Sequence, residues 1–151
     1  MIHSGASTRD RVSLGEYQSV ADLRAALRRF MRVGEQAARR HGLTQQRYLL
    51  LLMIKGAPDG SQQSTVTVLS ERLQVAQSTV TELVGRAEEA GLVARDPSTD
   101  DGRVVLFSVT PEGERRLSAL MRELRSERAS LAKMVGAFAE SQLAEDSHSH
   151  T

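Results

Sequence analysis

Residues 65–95, TVTVLSERLQVAQSTVTELVGRAEEAGLVAR, decide how the whole chain is read. Thr65 is placed to cap a short helix carrying Val68, Leu69, Arg72 and Leu73. A second helix begins near Gln77 and keeps Val80, Leu83, Val84 and Ala87 on one face. Gly91 suits the left-handed position that ends a helix. Only Gln74, Val75 and Ala76 join the two, which is the compact spacing of a helix-turn-helix.

The flanks extend that motif. Downstream, Leu92–Arg95 and Val104–Val109 are rich in β-branched residues and predict a two-stranded hairpin, a wing, closed by the acidic loop DPSTDDGR at 96–103. Thr110 and Pro111 then start a long fifth helix through Leu117, Leu120, Met121, Leu124, Leu131, Met134 and Val135. From Gly136 one more short helix passes through Phe138 and Leu143 before an irregular tail, EDSHSHT. Upstream, Val20, Leu23, Leu27, Phe30, Met31, Gly34 and Ala38 recur every three or four residues, so a long amphipathic first helix is expected from about Gly15 to His41. Thr44 offers a cap for a strongly apolar second helix through Tyr48, Leu51, Leu52 and Ile54, followed by a polar loop, APDGSQQS.

Composition narrows the function classes. The chain has 151 residues, 40% hydrophobic and 26% charged, as expected of a folded domain with its own core. It contains no cysteine, which excludes disulfide frameworks, thiolate metal sites and any switch based on cysteine oxidation. With four histidines, three of them near the chain ends, no nucleophile–base–orienter set is suggested, so an enzyme is not expected. The beginning, MIHSGASTRDRVS, lacks an apolar signal core, and no apolar run is long enough to span a bilayer; a cytoplasmic location is expected. The net charge of +1 is uneven: residues 1–64 hold ten basic residues against five acids, whereas 65–110 hold four arginines against seven acids. No basic patch therefore advertises a nucleic-acid partner, and such a reading must come from geometry.

Taken together, Gly42-Leu43-Thr44, LSERLQV at 69–75, QSTVTELVGRAEEAGLVAR at 77–95 and DGRVVLFSVTPEG at 101–113 resemble the MarR family of winged helix-turn-helix transcription regulators, from about Leu14 to Val135. The resemblance implies a mainly α-helical chain with a small β-hairpin wing. Residues 1–42 and 111–145 would form dimerisation helices and 43–110 the winged helix-turn-helix DNA-binding region. It further implies a homodimer on double-stranded DNA, at a palindromic operator. Independently, the long first and fifth helices carry more apolar surface than a winged domain covers, as expected of a two-fold interface.

A recognition helix enters the major groove by its N-terminal end. Gln77, Ser78, Thr79 and Thr81 occupy that end: Gln77 suits adenine, and the threonine methyls suit thymine. Ser78 and Thr79 have a second reading as helix caps. Arg72, Arg86 and Arg95 are candidates for phosphate, with surface pairing of Arg86 to Glu82 or Glu89 as the alternative. Asp101 and Arg103 match the family positions where an aspartate braces the wing and an arginine enters the minor groove; the same residues also read as a solvated turn. The chain departs from the family pattern at Gln74, Ala76, Ala87, Glu82 and Gly102, each at a cost in affinity or local stability.

Many relatives of this kind bind a small aromatic or phenolic effector, and by position Arg28, Phe30, His41, Arg47, Tyr48 and Met53 are candidates to line its crevice, each also readable as core or surface. The expected function is a repressor released by such an effector. Two alternatives stay open: a metal-responsive regulator using His3, Asp146, His148 and His150, and a winged-helix module binding a protein. Neither a cofactor nor a dedicated metal site is expected.

Overall fold

The computed structural model describes residues 10–96 and 104–148. Its elements in chain order are α1 (Leu14–Arg40), α2 (Gln45–Lys55), β1 (Gln63–Ser64), α3 (Val66–Leu73), α4 (Gln77–Glu89), β2 (Val93–Asp96), β3 (Leu106–Val109), α5 (Pro111–Glu123) and α6 (Arg125–His148). Among the described residues two compact units share these elements, one within residues 34–124 and the other made of residues 10–33 with 125–148.

In the unit of residues 34–124, short polar caps set where each helix starts. The side chains of Thr44, Thr65 and Thr110 accept from the backbone N–H of Arg47, Val68 and Gly113, satisfying donors that the first helical turn leaves over. The helices then bury Leu50, Leu51, Ile54, Leu69, Val80 and Leu120 completely. α4 stops where Gly91 takes a φ of +74°, which lets the N–H of Leu92 return to the carbonyl of Ala87 at 2.9 Å. This unit reaches beyond residues 43–110 at both ends, because Ala37 and Ala38 of α1 and Leu117 and Leu120 of α5 are part of its core.

The sheet differs from the expected two-stranded hairpin. It has three antiparallel strands in the order β1-β3-β2, with Ser64 opposite Phe107 and Arg95 also opposite Phe107. β1 lies at the end of the stretch read as a polar loop. Two residues with no branched or aromatic side chain carry no strand signal; β1 exists because β3 offers it a free edge.

The long fifth helix also proves to be two. α5 ends at Leu124, whose φ of −89° and ψ of 5° are not helical, and α6 starts at Arg125. No glycine or proline marks this break. Leu124 is drawn into the core, its Cδ1 4.0 Å from where a Cβ on Gly34 would lie, and Glu123 beside it is tied to Arg40 at 2.8 Å. Instead of dissolving after a short helix, α6 continues through Gly136 to His148, with Ser147 and His148 bonding back to carbonyls four residues earlier.

The other unit comprises residues 10–33 and 125–148 among those described. None of the 24 residues of α6 is buried. Leu14, Tyr17, Val20 and Met31 on α1, and Val135 and Leu143 on α6, are exposed apolar groups. No helix among the described residues is long and apolar enough to cross a membrane.

Candidate nucleic-acid interface

The angle between α3 and α4 is set by a turn held from several directions. Gln74 takes φ 57°, ψ 44°, a left-handed conformation that glycine adopts without cost and other residues pay for. Part of the cost is offset: the Gln74 side chain donates to the Glu71 carbonyl at 2.6 Å, and Ser70 Oγ donates to the Val75 carbonyl at 2.6 Å. The N–H of Val75 also reaches the Ser70 carbonyl at 3.2 Å. The departure from glycine at this position is thus accommodated by the side chain that replaced it.

α4 leaves the turn with its first donors open. Ala76 occupies the cap position and supplies no side-chain bond. Neither Ser78 nor Thr79 takes its place, so the capping alternative for them is not realised. The leading N–H groups of the helix therefore face outward without an acceptor from a cap, an environment that favours an anion such as phosphate. Gln77, Ser78 and Thr81 are exposed at this end and Thr79 is half-buried. Thr81 Oγ1 donates to the Gln77 carbonyl at 3.0 Å, so its methyl is the part left to make apolar contact.

The arginines divide by role. Arg72 Nη1 donates to the carbonyls of Met53 and Gly56, at 3.2 and 3.0 Å, and closes the C-terminal end of α2. Arg95 pairs with Glu88 at 2.9 Å and lies over the Phe107 ring, 5.3 Å from its centroid. Arg86 is exposed and forms no ion pair with Glu82 or Glu89. Asp101 and Arg103 lie outside the described residues. Glu88 and Phe107, which hold Arg95, were not singled out from sequence. Phe107 is found only through strand register, and Glu88 stands seven residues from Arg95, a spacing with no local meaning.

The six effector candidates fall in different units. Phe30 lines a cavity of about 170 Å³ with Ala26, Arg29, Glu127, Leu131 and Met134; Arg28 is exposed and does not line it. In the other unit Tyr48 is buried and Arg47 half-buried. His41 Nε2 meets Glu123 Oε2 at 2.8 Å, and hydrogen bonds from Arg40 and then His41 hold the Glu123 carboxyl below its ordinary range. Cavities of about 330 and 320 Å³ in this unit are lined from Ala57 to Leu106 and from Thr65 to Val105, and His41, Arg47, Tyr48 and Met53 line neither. Of the metal candidates, Asp146 and His148 sit in the last turn of α6, where His148 Nδ1 meets the Ala144 carbonyl at 2.7 Å; His3 and His150 lie outside the described residues. Among the described residues no three His, Asp or Glu side chains form a group able to hold a metal ion.

Comparison with known proteins places this geometry. Residues 41–104 match the sequence profile of the MarR family. Over 83 residues the chain is 30% identical to the HTH-type transcriptional repressor MdtR of Bacillus subtilis (strain 168), a match covering 55% of this chain and 52% of that protein. The chain thus spans about half the length of the curated relative it matches. The crystal structure of a MarR family transcription regulator superposes with a TM-score of 0.69 at 23% identity, over 87% of this chain and 88% of that one. A mutant of MarR from E. coli, complexed with operator DNA, superposes with a TM-score of 0.64 at 21% identity, over 81% and 88%.

Proposed function

Because residues 41–104 match the sequence profile of the MarR family, and the chain has the fold of that family's solved regulators over most of its length, we propose that it is a sequence-specific DNA-binding transcriptional regulator. It acts as a homodimer on a palindromic operator, as a repressor released by a small aromatic or phenolic effector. The observation that carries the reading is the N-terminal end of α4: uncapped, polar, exposed, and held at a fixed angle by the α3–α4 turn.

The physical sequence of events follows from that end. The open N–H groups and Arg86 meet phosphates and fix the register, while Gln77, Ser78, Thr79 and Thr81 reach base edges. Arg72, bonded only to backbone carbonyls, adds positive charge from α3, while Arg95 at the base of the wing reaches phosphate by exchanging its pair with Glu88. Arg103, with Asp101 as its brace, enters the minor groove beside the half-site. Two copies place two such helices on half-sites roughly 34 Å apart, one helical turn. The dimer reading is supported by α6, a helix of 24 residues that buries none of them within one chain.

Selection of bound duplexes from a random DNA pool tests the proposal, repeated with and without candidate aromatic acids. A motif with two-fold symmetry is the expected result. No enrichment would favour the protein-binding alternative, which the excess of acids in residues 65–110 supports.

A further inference from the structure

The inward side of α4 is set by Val80, Val84 and Ala87, all buried. At 100° per residue the opposite side is centred on Ser78, Glu82, Gly85 and Glu89. Glu82 is therefore the first long side chain on the outward face of the helix, and it is acidic. Glu88, on the same helix, is neutralised by Arg95 at 2.9 Å. The Glu82 side chain is exposed and makes no ion pair or hydrogen bond among the described residues.

A free carboxylate is repelled by phosphates and by the acceptor atoms of guanine and thymine, so in a major groove it is tolerated only where it meets a donor. The groove offers two, the amino groups of cytosine and adenine. Adenine sets its N7 acceptor beside that amino group, which opposes a carboxylate. Cytosine presents the donor without a neighbouring acceptor of its own.

Reach is the second requirement, since a glutamate is shorter than the arginine that reads guanine. Its neighbours on this face, Ser78 one turn before and Gly85 one turn after, are both small. A Cβ added at Gly85 would meet nothing within 4 Å, so the fold does not need a glycine there, and a mid-helix glycine weakens the helix. A close approach from outside the molecule accounts for both facts.

We infer that Glu82 is a specificity-determining residue that accepts a hydrogen bond from the N4 amino group of one cytosine in each half-site, with Gly85 providing the clearance for that approach. This rests on the DNA-binding reading. The test is selection from a random duplex pool with the full-length wild type, Glu82→Gln and Glu82→Ala, followed by titrations on duplexes carrying each base at the position affected. Wild type selects cytosine at one position per half-site. Glu82→Ala loses that preference, by about fivefold or more, and Glu82→Gln moves it toward adenine. Gly85→Ala raises the melting temperature by roughly 2–4 °C yet weakens binding to the wild-type duplex. A palindrome selected with the same base preference by wild type and Glu82→Ala overturns the role of Glu82 while leaving DNA binding intact. Failure of the wild type to enrich any sequence overturns both.

Discussion

Gly113 and Gly85 are both helical glycines, and replacing each with alanine should shift stability in opposite directions. At Gly113, in the first turn of α5, a Cβ would fall inside the contact distance of the Leu92 carbonyl oxygen and 2.8 Å from Val109 Cγ1. The first neighbour is backbone and cannot rotate away. That same carbonyl accepts the N–H of Thr110 at 3.0 Å, and Thr110 Oγ1 both receives the Gly113 N–H at 3.1 Å and donates to the Gly91 carbonyl at 2.7 Å. Overpacking costs about 1–3 kcal/mol, and a displaced hydrogen bond adds about 1 kcal/mol, so Gly113→Ala should lose about 2–4 kcal/mol. For a chain of this size that is roughly 5–15 °C in melting temperature. Gly85→Ala, with open space around the new methyl, should gain up to about 1 kcal/mol. Thermal melts followed by circular dichroism, at one fixed protein concentration because a dimer's melting depends on it, provide the assay. Two variants shifting in the same direction would refute the packing assigned to the α5 start.

Arg72→Ala removes the donor to Met53 and Gly56 and should lower stability by about 1 kcal/mol in urea titration; an unchanged midpoint would deny it the role of closing α2. Glu112 has its carboxyl lowered from 4.5 to about 2 by hydrogen bonds from Arg115 and then Arg116. A depressed acid stabilises the fold above its unfolded value and loses that contribution as pH falls through its folded value. The deficit of Glu112→Gln relative to wild type should therefore be full above about pH 4.5 and fade toward pH 2. A deficit independent of pH would show that charge is not its cause. Arg103→Ala should weaken operator binding with little change in melting, and Gln77→Ala should change which base is preferred; unaltered binding in the first, or a uniform loss in the second, contradicts those roles.

How much of this was legible in sequence depends on how local the cause is. The starts of α2, α3 and α5 are written in Thr44, Thr65 and Thr110, because a cap is made within three residues of its helix. The end of α4 is written in Gly91 for the same reason. The break at Leu124 is not, since nothing about the residue itself ends a helix; burial against the other elements does. Likewise β1 depends wholly on the edge of β3.

The candidate site divides in the same way. The exposed polar start of α4 follows from helical periodicity and was visible at Gln77, Ser78 and Thr81. The partners of the arginines were not: Arg72 reaches back to α2, and Arg95 reaches Glu88 and Phe107 through space. In sequence Glu82 is a departure from a family pattern and nothing more; only the fold separates it from Glu88, which pairs with Arg95, while Glu82 has no ion pair among the described residues.

Operator binding as a function of salt tests the central claim most directly. Affinity for a selected palindromic duplex and for a scrambled duplex of the same length is measured by fluorescence anisotropy from low to physiological salt. A dimer whose two α4 ends and two wings meet phosphate should neutralise at least about four of them, so that log affinity falls with log salt with a slope of roughly −4 or steeper. The palindrome should also bind at least about a thousandfold more tightly than the scrambled duplex at physiological salt. Equal affinity for the two duplexes, or binding insensitive to salt, would contradict a sequence-specific DNA-binding function.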